Sequence, residues 1–94
     1  MHYLVRSESR SALKLKGLRS PAARAVATVL AEARRSKGLT QRDLAERVRR
    51  PHSVIPMIET EQRQVTIPEF ITLAEALEKD PVDLLRSVLK GRKG

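Results

Sequence analysis

Cysteine is absent from this 94-residue chain, and aromatic side chains are limited to one Tyr and one Phe. The absence of cysteine excludes a disulfide framework and a thiolate metal site. No apolar run approaches the roughly 20 residues that a membrane-spanning helix needs. The basic residues near the N-terminus are not followed by an apolar run of signal-peptide length. We therefore expect a cytoplasmic protein.

Sequence patterns that carry catalysis are lacking as well. The two histidines, His2 and His52, are far apart, and no HxxxH spacing accompanies them. Ser53 lies outside any Gly-x-Ser-x-Gly context, and there is no glycine-rich phosphate loop. The sequence therefore predicts no catalytic residue, no metal site, no cofactor and no enzymatic activity.

Charge is plentiful but unevenly spread. Hydrophobic residues make up 40% of the chain and charged residues 32%, which is typical of one small globular domain. The net charge of +8 arises from +7 over residues 1–38, −2 over residues 39–89 and +3 over the last five residues. A basic surface of this kind favours polyanions, but it is also compatible with a merely solubilising surface.

Residues 1–19 form a basic arm without helical periodicity. Two stretches, Tyr3 to Val5 and Ala12 to Lys16, have the pattern of short strands. A short β-hairpin, a strand that crosses to a second copy, and a flexible arm all remain open for this segment.

Capping signals and apolar periodicity predict five helices from residue 20 onwards. Ser20 followed by Pro21 starts helix one, and Gly38 ends it. Thr40 and Asp43 start helix two with a capping box. In helix one, Ala22, Val26, Val29, Leu30 and Ala33 share one apolar face, and in helix two Leu44, Ala45 and Val48 are the predicted buried face.

Helix three is predicted to follow Arg49 and Arg50, with Pro51 in its first turn. Thr66 with Glu69 starts helix four, and Asp80 starts helix five. Ile55 and Ile58 are predicted to point inward from helix three. The predicted apolar faces comprise Ile67, Phe70, Ile71, Ala74 and Leu77 in helix four, and Val82, Leu85, Val88 and Leu89 in helix five, the last four being also the candidates for a dimer surface. The predicted organisation is an arm at 1–19, an all-α domain at 20–89 with a helix-turn-helix unit at 40–59, and a basic tail at 90–94.

Three segments of this domain have a specific order and spacing. They are Gly-Leu-Thr-Gln-x-Asp-Leu-Ala at 38–45, Ile-x-x-Ile-Glu at 55–59 and Pro-Glu-Phe-Ile-x-Leu-Ala-x-Ala-Leu at 68–77. Together they resemble the lambda-repressor-like, or Xre-type, helix-turn-helix family of bacterial and phage regulators, over about residues 22–87. The resemblance implies a five-helix fold and a homodimeric transcription factor, commonly a repressor, that binds a pseudo-palindromic operator in double-stranded DNA at the nucleoid.

The resemblance also implies roles for individual residues. Glu59 is expected to be structural rather than to contact bases. The base-facing candidates are His52, Ser53 and Met57. The phosphate-contact candidates are Gln41, Arg49, Arg50, Arg63 and Gln64. The arm candidates are Arg6, Arg10, Lys14 and Lys16, and the dimer is expected to form through helix five or the arm.

Three residues depart from the family pattern. Arg49 stands where the turn usually has glycine, so that a positive φ there would be strained. Pro56 falls within helix three, where an interior proline costs about 3 kcal/mol unless the helix starts late or kinks. Glu61 replaces a loop glycine near the expected phosphate path, where a carboxylate would repel DNA.

These departures leave alternatives to an operator-binding regulator. One is a protein-interaction module or antitoxin component, with residues 1–19 as the partner-binding segment. Another is a non-specific nucleic-acid binder, which predicts steep salt dependence without a preferred sequence.

Overall fold

The computed structural model describes residues 20–92, which form five α-helices and no strand. The helices are α1 (Pro21–Ser36), α2 (Gln41–Arg47), α3 (Val54–Glu59), α4 (Ile67–Ala76) and α5 (Pro81–Gly91). The predicted all-α class is confirmed, and α5 continues two residues past the domain end expected at residue 89. The strands and arm contacts predicted for residues 1–19 lie outside the described residues.

The capping signals that the sequence provides define four of the five helix starts. Each cap satisfies N–H groups that otherwise lack an acceptor at a helix N-terminus, and a good cap contributes about 1 kcal/mol. The caps are Ser20 for α1, Thr40 with Asp43 for α2, Thr66 with Glu69 for α4, and Asp80 for α5.

The start of α3 differs from the prediction, because the helix begins at Val54 rather than around Pro51. Arg49 has a left-handed backbone with a φ of 57°. The proline that follows Arg50 disfavours helical geometry at Arg50 itself. The chain therefore needs residues 49–53 as a connection before α3 can begin.

This late start removes the conflict expected at Pro56. Pro56 is the third residue of α3, and the N–H groups of a helix's first turn have no intrahelical acceptor in any case. The first helical hydrogen bond is donated by the Met57 N–H to the Ser53 carbonyl at 3.2 Å. The helix is short as a result, but it is not interrupted.

The core lies between all five helices and is almost wholly aliphatic. Ala45 is completely buried, so that α3 packs closely against α2. The larger core side chains are Leu30, Leu44, Ile55, Ile58, Phe70, Leu73, Leu77, Leu84 and Val88. Leu73 and Leu84 were not expected to face inward.

Six residues of the predicted apolar faces are exposed, three of them α5 residues that were also candidates for a dimer surface. The buried arc of α5 is centred on Leu84 and Val88, so Leu85 and Leu89 lie at its edge. Three of the six lie in the first turn of α1, α4 or α5, at the edge of the core. The exposed residues are Ala22, Ile67, Ile71, Val82, Leu85 and Leu89.

Candidate nucleic-acid interface

A single carboxylate at the end of α3, that of Glu59, joins three helices. Arg34 of α1 donates Nε to Oε2 at 2.7 Å and Nη2 to Oε1 at 3.1 Å. Gln41 of α2 donates Nε2 to Oε1 at 2.9 Å. The side chains of Arg34 and Glu59 are 11% and 7% exposed, so these charge-assisted bonds are shielded from water. The structural role expected for Glu59 is confirmed.

The environment of Glu59 also determines its protonation. Burial raises the pKa of this carboxyl, but the hydrogen bonds from Arg34 and Gln41 and the nearby arginine charges outweigh burial. The pKa of Glu59 therefore lies below its ordinary value. The hydrogen bond with Glu59 raises the pKa of Arg34. The ion pair that anchors α3 is consequently charged at neutral pH.

The three base-facing candidates are exposed and lie within α3 or directly before it. His52 and Ser53 are exposed, but they belong to the turn before the helix rather than to the helix itself. Met57 is one turn after Ser53 and is 37% exposed. The Ser53 side chain makes no capping hydrogen bond, so its hydroxyl is not committed to the start of α3. The Nε2 of His52 is 4.0 Å from the Glu46 carboxylate.

The phosphate-contact candidates differ in how many contacts their side chains make within the protein. Arg49 and Gln64 are exposed. Gln41 is fixed to Glu59 through its side-chain amide, and its backbone is the first residue of α2. The backbone N–H groups at the N-terminus of α2 suit an anion, but the side chain of Gln41 is already hydrogen-bonded to Glu59.

Arg50 and Arg63 converge on Glu69, which the sequence had identified only as a helix cap. Arg63 donates Nη1 to Oε1 at 2.9 Å and Nη2 to Oε2 at 2.5 Å. The Nη2 of Arg50 lies 3.4 Å from the same Oε2. The hydrogen bonds from Arg63 are the main cause that lowers the pKa of Glu69. The capping-box pattern was the available signal for Glu69, but it did not reveal the arginine partners.

Glu61, which was expected to repel DNA, has an intramolecular counterion. Its φ is 63°, which gives it the left-handed backbone of the glycine that it replaces. Its Oε1 lies 3.8 Å from the Nε of Arg24 on α1. The expected repulsion is thus offset in part by a neighbouring guanidinium.

Within residues 20–92, no group of three or more His, Asp or Glu side chains has a geometry that could hold a metal ion. In that same part of the chain, no helix is long and apolar enough to cross a membrane.

Comparisons with known proteins agree with this geometry. A helix-turn-helix family model matches residues 30–84. An Xre-family-like protein from Pseudomonas syringae pv. tomato str. DC3000 is 30% identical, with 82% of this chain and 94% of that chain covered and a TM-score of 0.71. No curated protein matches the chain.

Two further solved structures have named roles. A variant of the restriction-modification controller protein C.Esp1396I is 27% identical, with 78% of this chain and 97% of that chain covered and a TM-score of 0.73. The clp gene regulator ClgR from C. glutamicum is 25% identical, with 73% of this chain and 90% of that chain covered and a TM-score of 0.69. Because the family model spans more than half of the sequence, the chain belongs to the Xre-type helix-turn-helix family of DNA-binding regulators.

Proposed function

We propose that the protein is a sequence-specific transcriptional regulator, acting as a repressor, that binds a pseudo-palindromic operator as a homodimer. The main support for this proposal is the way in which α3 is anchored. Its inner side is anchored by Ile55, Ile58 and the Glu59 ion pair, while His52, Ser53 and Met57 are left at the surface. A short helix that is anchored on its inner side, with exposed polar side chains at its N-terminal end, suits major-groove reading.

The named relatives support a role in gene control. One is a restriction-modification controller protein and another is a gene regulator, and both share the fold over most of their length. Binding to DNA would place this protein at the nucleoid in the cytoplasm, in line with the net charge of +8.

The proposed dimer rests on an apolar band of α5. Val82, Leu85 and Leu89 are 57%, 44% and 49% exposed, and they follow one another at helical spacing. Pairing this band with that of a second copy would bury side chains that the monomer leaves in water. Two copies of α3 could then enter successive major grooves, about one helical turn apart.

The docking of α3 is tested by selecting binding sites from a random duplex library with three proteins: the wild type, His52→Ala and Ser53→Ala. We expect each variant to lose preference at a different base position of the half-site, because its side chain would no longer reach a base edge. Three identical sequence preferences would contradict the docking of these residues in the groove.

Met57 favours a second candidate function, as a protein-interaction module or antitoxin component. An apolar side chain in the middle of the exposed face of α3 suits a protein surface as well as a thymine methyl group. A stoichiometric protein partner that co-purifies with the chain and is lost on deletion of residues 1–19 would support this alternative.

A further inference from the structure

The two arginines that meet at Glu69 come from opposite ends of α3. Arg50 belongs to the turn that precedes the helix, and Arg63 to the loop that follows it. Glu69 lies in the first turn of α4 and is the only one of the three that sits within a helix. One carboxylate therefore fixes side chains on both flanks of the proposed recognition helix.

Both oxygens of Glu69 are occupied, so that the carboxylate has little freedom to move. Oε1 accepts from Arg63 and, at 3.3 Å, from the N–H of Thr66, while Oε2 faces Arg63 and Arg50. The Glu69 side chain is 11% exposed, compared with 29% for Arg63 and 48% for Arg50. The carboxylate is thus less exposed than the two guanidinium groups that contact it.

The hydrogen bonds to Glu69 leave donors of Arg63 available. A guanidinium has five N–H donors in a fixed plane, and the bidentate contact with Glu69 uses two of them. The remaining donors have directions set by the ion pair rather than by a flexible side chain. A donor held in advance loses less conformational freedom when it binds an anion.

We propose that Glu69 is a positioning residue, which holds Arg50 and Arg63 in place to contact DNA phosphates on both flanks of α3. This inference rests on the proposed function, since it concerns the same DNA complex. The inference predicts that the negatively charged Glu69 strengthens DNA binding, whereas its charge alone would repel DNA and weaken binding.

Glu69→Gln is a direct test, because the inference predicts a loss of DNA affinity and the charge alone predicts a gain. Glutamine keeps the size of the side chain and is accepted at this position of a capping box, but it loses the charge that aligns the arginines. The matched control is Glu75→Gln, because Glu75 is exposed on the same helix and has no side-chain hydrogen bond or ion pair among residues 20–92. Both variants change the net charge by the same amount.

The probe is a random-sequence duplex of about 30 base pairs, with affinity measured across a salt series, because phosphate contacts are independent of sequence. We expect Glu69→Gln to bind roughly three- to tenfold more weakly and its salt slope to fall by about one, as for a lost phosphate contact. Glu75→Gln should bind as tightly as the wild type or slightly more tightly. If Glu69→Gln also binds as tightly or more tightly, the inference is wrong.

Two further variants keep the test independent of folding. Glu69→Asp retains the charge and the capping group but is one methylene shorter, and we expect it to weaken binding as well. In an Arg63→Ala background, Glu69→Gln should cause a smaller loss than in the wild type, whereas a general structural defect would give the same loss in both. Wild-type protein that binds no duplex at all would instead overturn the proposed function, and this inference with it.

Discussion

Arg49 has a backbone conformation that glycine adopts freely and other residues adopt at a cost. Its φ is 57°, and it is exposed in the turn between α2 and α3. Among residues 20–92, two other non-glycine residues have a positive φ, Glu61 and Glu78. Glu61 forms an ion pair with Arg24 in α1, and Glu78 forms one with Lys37, which directly follows α1. These ion pairs connect the two loops to the protein. No such pair is found for Arg49 within residues 20–92.

Comparing Arg49→Gly with Arg49→Ala separates backbone strain from charge. Both remove the guanidinium, but only glycine relieves the positive φ, so we expect Arg49→Gly to be more stable than Arg49→Ala by roughly 1 kcal/mol. Both variants should weaken DNA binding equally. Urea unfolding and duplex titration measure the two effects, and unaltered affinity in both variants would exclude a phosphate contact by Arg49.

The Glu59 ion pair predicts a specific dependence of stability on pH. Because the pKa of Glu59 is lower in the folded protein than in the unfolded chain, its contribution is fully present above the unfolded pKa of about 4.3. The contribution is lost as the pH falls through the lower folded pKa.

We therefore expect Glu59→Gln to lower the free energy of unfolding by about 2 kcal/mol at pH 7, since a charged hydrogen-bond acceptor is lost. The difference from wild type should shrink below about pH 4, where Glu59 itself becomes protonated. Urea unfolding from pH 7 to pH 2.5 measures this, with Glu75→Gln as an exposed control. A difference that stays constant across the range would contradict the assignment.

What the sequence could show of these residues depended on how local the interaction is. The strain at Arg49 was predictable, because a glycine position of a known turn held a bulky residue. The partners of Glu69 and Glu61 were not, since they depend on how separate loops fold together. Gln41 was predicted to contact a phosphate, and its hydrogen bond to Glu59 was not foreseen, because that bond depends on how α2 packs against α3.

Among the five helices, α3 is the one whose start was hardest to predict, because two prolines lie near it. Both prolines were predicted to lie within this helix, Pro51 in its first turn and Pro56 in its interior. The structure has Pro56 at the third position, where no hydrogen bond is lost. The other four helices had sharp capping signals, and their starts were predicted correctly.

Pro56→Ala distinguishes a proline in the first turn of α3 from one in the helix interior by the sign of the change in the free energy of unfolding. In the first turn, proline mainly restricts the unfolded chain, so we expect alanine to destabilise the protein by about 0.4–1 kcal/mol. A proline inside the helix would have the opposite effect, and its replacement would stabilise by about 3 kcal/mol. Thermal or urea unfolding of the two proteins decides between the placements.

Buried faces were less predictable than helix starts. The predicted apolar face of α5 omitted Leu84, which is buried, and of its four residues only Val88 is buried. The periodicity of a single helix gives the direction of its apolar arc to within about one residue, which is 100° of rotation. Which edge of that arc is covered depends on the neighbouring helices.

For the molecule as a whole, the exposed apolar band of α5 predicts self-association. We expect Leu85→Glu to convert the proposed dimer into a folded monomer, because a charge at the centre of an apolar interface is not compensated there. Ser87→Glu is the control, since Ser87 is exposed on the same helix but about 200° away from Leu85.

Sedimentation equilibrium measures the outcome of both changes. The prediction is a monomer for Leu85→Glu and a dimer for the wild type and for Ser87→Glu, with helical content unchanged in all three. The monomeric variant should also lose affinity for the operator. A wild-type protein that is monomeric at every concentration would show that the band serves another contact.

The most direct test of sequence-specific binding is the ratio of two affinities at about 150 mM salt, for the duplex that selection enriches and for a scrambled duplex of the same composition. We predict an enriched site with two-fold symmetry and a ratio above about a thousandfold. A library without an enriched sequence, and binding no tighter than about 10⁻⁶ M that weakens steeply with salt, would contradict the account.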